Sequence, residues 1–263
     1  MTNAFHSLAT SNFSQSWSAG LITVADDWSG VPSIIGYRTG NETSLTGVDA
    51  QTIVTDSGFA VNVIANATAT NITGGVLDVD QIANPTIGLQ GSNNSDYAAI
   101  VLHLDATGRQ NVRFQANVRD LDVSGDDAAQ QVNVQYRIGT SGNWTNVSGG
   151  YFADVTTANS ATQVTAIDVT LPFAVNNQSQ VQVRILSPNS AGNDELIGID
   201  DIVVSSAPQG ASATLSVGDV SIVEGDAGTS LLTFTVTRSN DTTAFSVNYG
   251  TADGTATAGS DYA

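Results

Sequence analysis

Residues 111–138, NVRFQANVRDLDVSGDDAAQQVNVQYRI, contain two runs in which apolar and polar side chains alternate. A period of two places the apolar set of each run on one face, which predicts two half-buried antiparallel strands. The loop between them has Gly125, which permits a sharp turn, and a cluster of carboxylates that repel one another. Those carboxylates belong to Asp120, Asp122, Asp126 and Asp127. The stretch therefore predicts a β-sheet protein that binds a cation in a loop.

The composition excludes several classes of partner. The 263 residues carry a net charge of −18, with no lysine, seven arginines, 22 aspartates and three glutamates. Binding to nucleic acid or to an anionic membrane surface needs basic residues, so both are excluded for this region. Short aspartate side chains in tight loops suit a hard cation such as calcium. The alternative is an acidic surface that only keeps the protein soluble.

Cysteine and membrane signals are both missing from the sequence. There are no cysteines, which excludes disulfides and thiolate chemistry. No apolar run approaches the roughly 18 residues that a membrane helix needs. The N-terminal residues lack the basic and apolar regions of a cleavable signal. We expect an extracellular or cell-surface location, with the export signal elsewhere in a longer chain.

Strand patterns separated by turn signals predict an all-β protein with two domains. About nine strands over residues 1–205 favour a two-sheet, jelly-roll-like sandwich. The run from Glu195 to Val204 has apolar residues at both odd and even positions, which predicts a central strand buried on both faces. Asp200 and Asp201 interrupt it and predict a bulge. Residues 206–212 are small and polar and predict a linker. Residues 213–263 then begin a new series of strands.

The last segment resembles a known family. DVSIVEGDAG at 219–228, LTFTVTRS at 232–239 and FSVNYGTADGTATAGSDY at 245–262 resemble the first half of a Calx-beta domain. The resemblance implies a truncated, immunoglobulin-like sandwich. It also implies calcium ligands at Glu224, Asp253 and Asp261. Because the later strands of the family are missing, Leu232, Phe234 and Val236 should lack an opposing sheet.

Residues 1–205 resemble a second family. LITVADDWSGVPSIIGYRTG at 21–40, residues 117–139 and NDELIGIDDIVV at 193–204 resemble the N-terminal module of bacterial extracellular nucleases and related large secreted proteins. The resemblance implies an accessory role beside a catalytic domain that lies outside this sequence.

Two acidic clusters are candidate calcium sites. The loop at 120–127 spaces oxygen ligands as calcium loops do, but Gln131 stands where an EF-hand needs glutamate and a strand follows. The alternative is a solvated hairpin tip. Asp200 and Asp201 lie in an apolar strand, where a carboxylate needs a cation or an arginine. The candidate co-ligands are Asp26, Asp27, Asp194 and Glu195, and the candidate ion-pair partners are Arg184 and Arg137.

The remaining residues favour binding over catalysis. A sugar-binding platform could be built from the large aromatic residues Trp17, Trp28, Tyr37, Trp144 and Tyr151, although such residues more often form the core. The only histidines are His6 and His103, and no nucleophile or phosphate-loop motif occurs. The sequence therefore predicts a non-catalytic, calcium-binding accessory region of a secreted bacterial protein. Its partners would be calcium ions and an extracellular polysaccharide or cell-surface protein. The alternatives are a carbohydrate-binding module, a passive adhesin stalk and a concealed glycosidase.

Overall fold

The structure is a computed structural model of the chain. It describes all residues except 1–3, 18–27, 40–44, 57, 66, 68–73, 93–94, 124–127, 211–212, 224–226 and 240–245. The chain divides into two compact units, residues 1–209 and 210–263.

The regular secondary structure in the described part of the first unit is almost entirely β-strand. In chain order they are β1 (His6–Ser7), β2 (Phe13–Gln15), β3 (Ile34–Arg38), β4 (Ala60–Val61), β5 (Gly75–Val79), β6 (Thr86–Gln90), β7 (Tyr97–Asp105), β8 (Arg109–Asp120), β9 (Val132–Ile138), β10 (Thr145–Phe152), β11 (Val164–Thr170), β12 (Val181–Pro188) and β13 (Ile197–Pro208). Short 3-10 turns occupy Ala50–Thr52 and Phe173–Val175. No helix in the described chain is both long and apolar enough to span a bilayer.

The strands form two sheets. Sheet A has the order β10-β9-β12-β7-β3-β4, with β1 beside β7, and sheet B has the order β11-β8-β13-β6-β5, with β2 beside β13. The strand pairs are antiparallel except for β1 with β7. Alternate apolar side chains of the two sheets meet in one buried cluster, which includes Phe114, Val134, Ile100 and Ile199. The predicted all-β, two-sheet sandwich is confirmed.

The two strands that the alternating pattern predicts are present, but they do not form a hairpin. β8 pairs with β11 and β13 in sheet B, whereas β9 pairs with β10 and β12 in sheet A. The chain therefore leaves sheet B after Asp120 and enters sheet A at Val132. Alternation fixes which side chains of a strand are buried, but it does not identify the neighbouring strand.

β13 is a central strand of sheet B, and its pairing with β8 shifts register between Asp200 and Val203. This confirms the predicted bulge, at which Asp201 has a φ of 50°. The strand continues to Pro208, and the backbone N–H of Gln209 donates to the Gly108 carbonyl at 2.8 Å. The predicted linker at 206–212 thus starts too early, because residues 206–208 are still paired with β8.

The described part of the second unit contains two short paired strands, β14 (Leu215–Val217) and β15 (Val236–Arg238). Leu232, Phe234 and Val236 are exposed. Val247 and Tyr249, which the pattern places on a strand, lie in exposed irregular chain. A strand needs a partner for its backbone groups, and the described residues offer none here. The Calx-beta identity stays a prediction.

Candidate binding face

The outer face of sheet A is covered by the chain itself. Apolar side chains at Leu45, Val48, Ala50, Ile53 and Phe59 pack on Tyr97, Ala99 and Leu186 of that face. Side chains of the sheet also donate to the covering segment. Arg184 Nη2 donates to the Ile53 carbonyl at 2.6 Å, and Gln135 Nε2 donates to the same oxygen at 3.1 Å. A ligand could reach this face only by displacing residues 45–56.

A charged network lies beneath the covering segment. Arg184 is 0% exposed, and its guanidinium stacks 4.5 Å from the Trp144 ring centroid. Asp56 pairs with Arg184 at 3.5 Å and with Arg137, and it accepts from Trp144 Nε1 at 2.5 Å. Burial lowers the pKa of Arg184 to about 10, against the opposing effects of Tyr97 and Asp56. Asp56 thus offsets the positive charges of Arg137 and Arg184 beneath the covering segment.

The predicted aromatic platform does not form. Trp17, Trp28 and Trp144 are buried, and each indole N–H donates within the fold. Tyr37 stacks on Phe59 with centroids 4.3 Å apart, and the Tyr151 hydroxyl donates to Gln131 Oε1 at 3.2 Å. These rings are core and covering residues, as large aromatics usually are. The interpretation of these five residues as a sugar-binding platform is therefore wrong.

The outer face of sheet B is open over β11, β8 and β13. Asp168 and Thr170 on β11 and Arg113 on β8 are exposed, and Gln115 and Asn117 are half-buried. The β5–β6 side of the sheet is covered by Leu77, Val79 and Leu196, with Leu121 and Ile82 packed against them. From Arg113 to Arg119 the open part extends roughly 20 Å at about 3.4 Å per residue. We refer to this surface, on β11, β8 and β13, as the open face.

Hydrogen bonds fix the polar side chains of the open face. Arg113 binds both carboxylate oxygens of Asp168, and Gln115 Nε2 lies 3.5 Å from Asp168 Oδ2. Asn117 Nδ2 donates to Asp201 Oδ2 at 3.0 Å. The Arg113 guanidinium lowers the pKa of Asp168. A shallow depression beside these groups is lined by Ser14, Gln15, Ser16, Asp201, Ile202 and Val203.

Asp200 is buried at the edge of the open face, as its apolar strand predicts. Its Oδ2 pairs with Arg119 Nη1 at 3.2 Å and accepts from Asn84 Nδ2 at 3.2 Å. The predicted ion pair exists, but neither Arg184 nor Arg137 is the partner, because both face outward on sheet A. Burial raises the pKa of Asp200, against the opposing effects of the Asp201 N–H and Arg119.

An exposed aromatic ring lies near one end of the open face. Phe173 is 84% exposed and belongs to the turn that follows β11. The turn is fixed on both sides, since Leu171 N donates to the Val112 carbonyl at 2.8 Å and Val175 is fully buried. Phe173 is the only aromatic residue of the first unit that is exposed among those that the structure describes.

The first acidic cluster begins at the end of β8. Asp120 is buried, and its carboxylate accepts from the backbone N–H groups of Asp122 at 3.1 Å and Thr157 at 2.9 Å. Burial is the main cause that raises the pKa of Asp120, and the charges of Asp122 and Asp154 raise it further. Asp126 and Asp127 lie outside the described residues.

The other predicted ligands that the structure describes accept hydrogen bonds from nearby protein groups. Asp194 Oδ1 accepts from Ser190 N at 2.7 Å, and Asp253 accepts from Ala258 N at 2.8 Å and from the Tyr262 hydroxyl at 2.7 Å. Asp261 accepts from Thr257 N at 2.7 Å. Asp26, Asp27 and Glu224 lie outside the described residues. Within the described ranges, no three acidic or histidine side chains converge in a way that could hold a metal ion.

Sequence reasoning missed the functional potential of the polar positions of β8. In the sequence, these positions are only the polar, solvent-facing half of an alternating strand, namely Gln115, Asn117 and Arg119. The signal that could have identified them is the concentration of arginine, since β8 carries three of the seven arginines at 109, 113 and 119.

Comparisons with known proteins find structural likeness only, at low similarity. No protein-family model matches the chain, and no curated protein matches it. Similar solved structures include the family 11 carbohydrate-binding module of a cellulosomal cellulase of Clostridium thermocellum, at 10% identity and a TM-score of 0.35 over 70% of this chain and 94% of that one. The K2 cleaved adhesin domain of Lys-gingipain is 9% identical, with a TM-score of 0.40 over 74% and 98%. A cyclase from Fischerella sp. TAU is 13% identical, with a TM-score of 0.37 over 76% and 100%.

Proposed function

We propose that the first unit is a non-catalytic module of an extracellular protein that binds a polysaccharide on the open face. The observation that carries the proposal is the contrast between the two sheets. The outer face of sheet A is sealed by residues 45–56, whereas β11, β8 and β13 present polar side chains to solvent. An external ligand can therefore contact the open face without any displacement of the chain.

The chemistry of the open face suits a polyhydroxylated ligand. Each sugar hydroxyl both donates and accepts, and the face offers amide donors and acceptors at Gln115 and Asn117 beside carboxylates at Asp168 and Asp201. Ion pairing and strand geometry already fix these groups, which lowers the entropy that binding must remove. The exposed ring of Phe173 adds an apolar surface near one end.

Binding to soluble polysaccharides tests the proposal. We expect the full chain to bind at least one polysaccharide in affinity electrophoresis or on a glycan array. The double variant Gln115→Ala, Asn117→Ala should weaken that binding by about tenfold or more, because it removes hydrogen bonds worth roughly 0.5–1.5 kcal/mol each. Asn143→Ala is the matched control, since Asn143 is an exposed amide in a turn beyond sheet A. Binding that is lost equally in both variants, or no binding at all, would contradict the proposal.

A second candidate function is calcium binding by the loop that begins at Asp120. The specific observation is that a buried carboxylate has two further carboxylates, Asp122 and Asp154, close enough to raise its pKa. A cation there would offset this repulsion. We propose calcium as that cation, with Asp120 and Asp122 as ligands.

Thermal melts test the calcium proposal. At one hundred times the dissociation constant, a ligand stabilises the folded state by about 2.7 kcal/mol. Calcium should therefore raise the melting temperature relative to chelator at matched ionic strength, and Asp122→Asn should reduce that rise. A rise of unchanged size in Asp122→Asn would exclude the loop as the site.

A further inference from the structure

Asp78 occupies a core-facing position on β5. Its Cα partner across the sheet is Ile87, and Val76, two residues earlier on the same strand, also faces the main core. Asp78 is only 6% exposed. A carboxylate thus stands in a position that the neighbouring residues of the strand fill with apolar side chains.

The backbone of Asp78 is satisfied, but its side chain is not. Asp78 N donates to the Ile64 carbonyl at 2.8 Å, and its own carbonyl accepts from Ala67 N at 2.7 Å. Within the described chain, the buried Oδ2 atom has no hydrogen-bond partner. Buried carboxylates are almost always hydrogen-bonded, paired with a cation or bound to a metal ion.

The charge acting on Asp78 is of the same sign. Burial, followed by the charge of Asp80, raises the pKa of Asp78 to about 6. Asp80 follows two residues later, just past the end of β5, and Gln81 Nε2 donates to its Oδ1 at 2.8 Å. Two carboxylates therefore lie close together at the edge of sheet B.

We propose that Asp78 and Asp80 bind a hard divalent cation, calcium or magnesium, at the edge of sheet B. Both ions prefer carboxylate oxygen, and magnesium in particular is often held by one or two carboxylates with water in the remaining positions. The cation would offset the repulsion between the two carboxylates and give the buried Oδ2 atom of Asp78 a partner. This site is separate from the loop that begins at Asp120 and lies on a different strand.

Melting of the full chain at neutral pH tests the site, with calcium, magnesium and chelator as the three arms. The test uses the Asp122→Asn background, which removes one carboxylate from the proposed loop site. We expect calcium or magnesium to raise the melting temperature of Asp122→Asn by roughly 5 °C at saturating millimolar concentration. Adding Asp78→Asn should abolish that rise. In chelator the added substitution should not lower the melting temperature, because it removes a buried charge and keeps the shape of the side chain.

Two outcomes would overturn the proposal. The first is the lack of any cation-induced rise in Asp122→Asn, and the second is an undiminished rise after Asp78→Asn is added. If the Asp78 variant does not fold, Asp80→Asn replaces it, since Asp80 is only half-buried and should lose the rise as well. A rise that Asp122→Asn alone abolishes would support the loop site and reject this one.

Discussion

Asp56→Ala is expected to lower the free energy of unfolding of the first unit by about 3 kcal/mol, at the lower end of the roughly 3–5 kcal/mol for a broken buried ion pair. The reason is that Arg184 would stay fully buried without its carboxylate. The lower end applies because Asp56 itself is 31% exposed and water can partly replace it. Since each kcal/mol corresponds to about 2–4 °C at this size, the melting temperature should fall by roughly 6–12 °C.

The matched control is Asp168→Ala, which breaks an aspartate–arginine pair of the same chemistry on the open face. Arg113 and Asp168 are each about half exposed, with side-chain exposures of 48% and 47%. Solvent screens such a pair, so the melting temperature should hardly change. If the two variants lost the same free energy of unfolding, the charged network of Asp56, Arg137 and Arg184 would not be what stabilises the covered face of sheet A.

Trp17→Ala is expected to destabilise the first unit by about 3–5 kcal/mol, the usual cost of removing a buried tryptophan. Trp17 is 4% exposed, lies edge-on to Trp28 at 6.5 Å, and donates from Nε1 to the Ile199 carbonyl at 2.8 Å. Chemical denaturation measures this loss. Affinity for a bound polysaccharide, measured well below the melting temperature, should stay the same because Trp17 is a core residue.

Phe173→Ala should leave stability unchanged and weaken polysaccharide binding, the opposite of Trp17→Ala. The ring is exposed, so its removal should leave the denaturation midpoint unchanged, whereas polysaccharide affinity should fall. If Trp17→Ala weakens binding at constant fold content while Phe173→Ala does not, the aromatic platform predicted from the sequence would regain support over the open face.

Alternation along the sequence was enough to predict the strands and their core-facing side chains. β8 is half-buried as predicted, but β9 is not, because its polar side chains Asn133 and Gln135 are also buried, beneath residues 50–53. The pairing of strands was not predictable from the same signal. β8 and β9 are neighbours in sequence but belong to opposite sheets, since pairing depends on contacts between distant segments.

The partner of Asp200 illustrates the same limit. Burial of a carboxylate in an apolar strand predicted that an arginine or a cation must accompany it. Which arginine does so depends on register. Arg119 lies opposite Gly198 on the adjacent strand, two residues along from Asn117, which lies opposite Asp200. Arg184 and Arg137 lie on the other sheet, beneath a segment whose position no periodicity reveals.

Chemical-shift mapping of the full chain by NMR, during titration with a polysaccharide that binds, tests the central claim most directly. The side-chain amide signals of Gln115 and Asn117 on the open face should shift as ligand is added. The side-chain amide signals of Asn133 and Gln135 should not shift, because these amides donate to the carbonyls of Ala50 and Ile53 on the covered face of sheet A. Shifts confined to Asn133 and Gln135, with Gln115 and Asn117 unchanged, would contradict the assignment of binding to the open face.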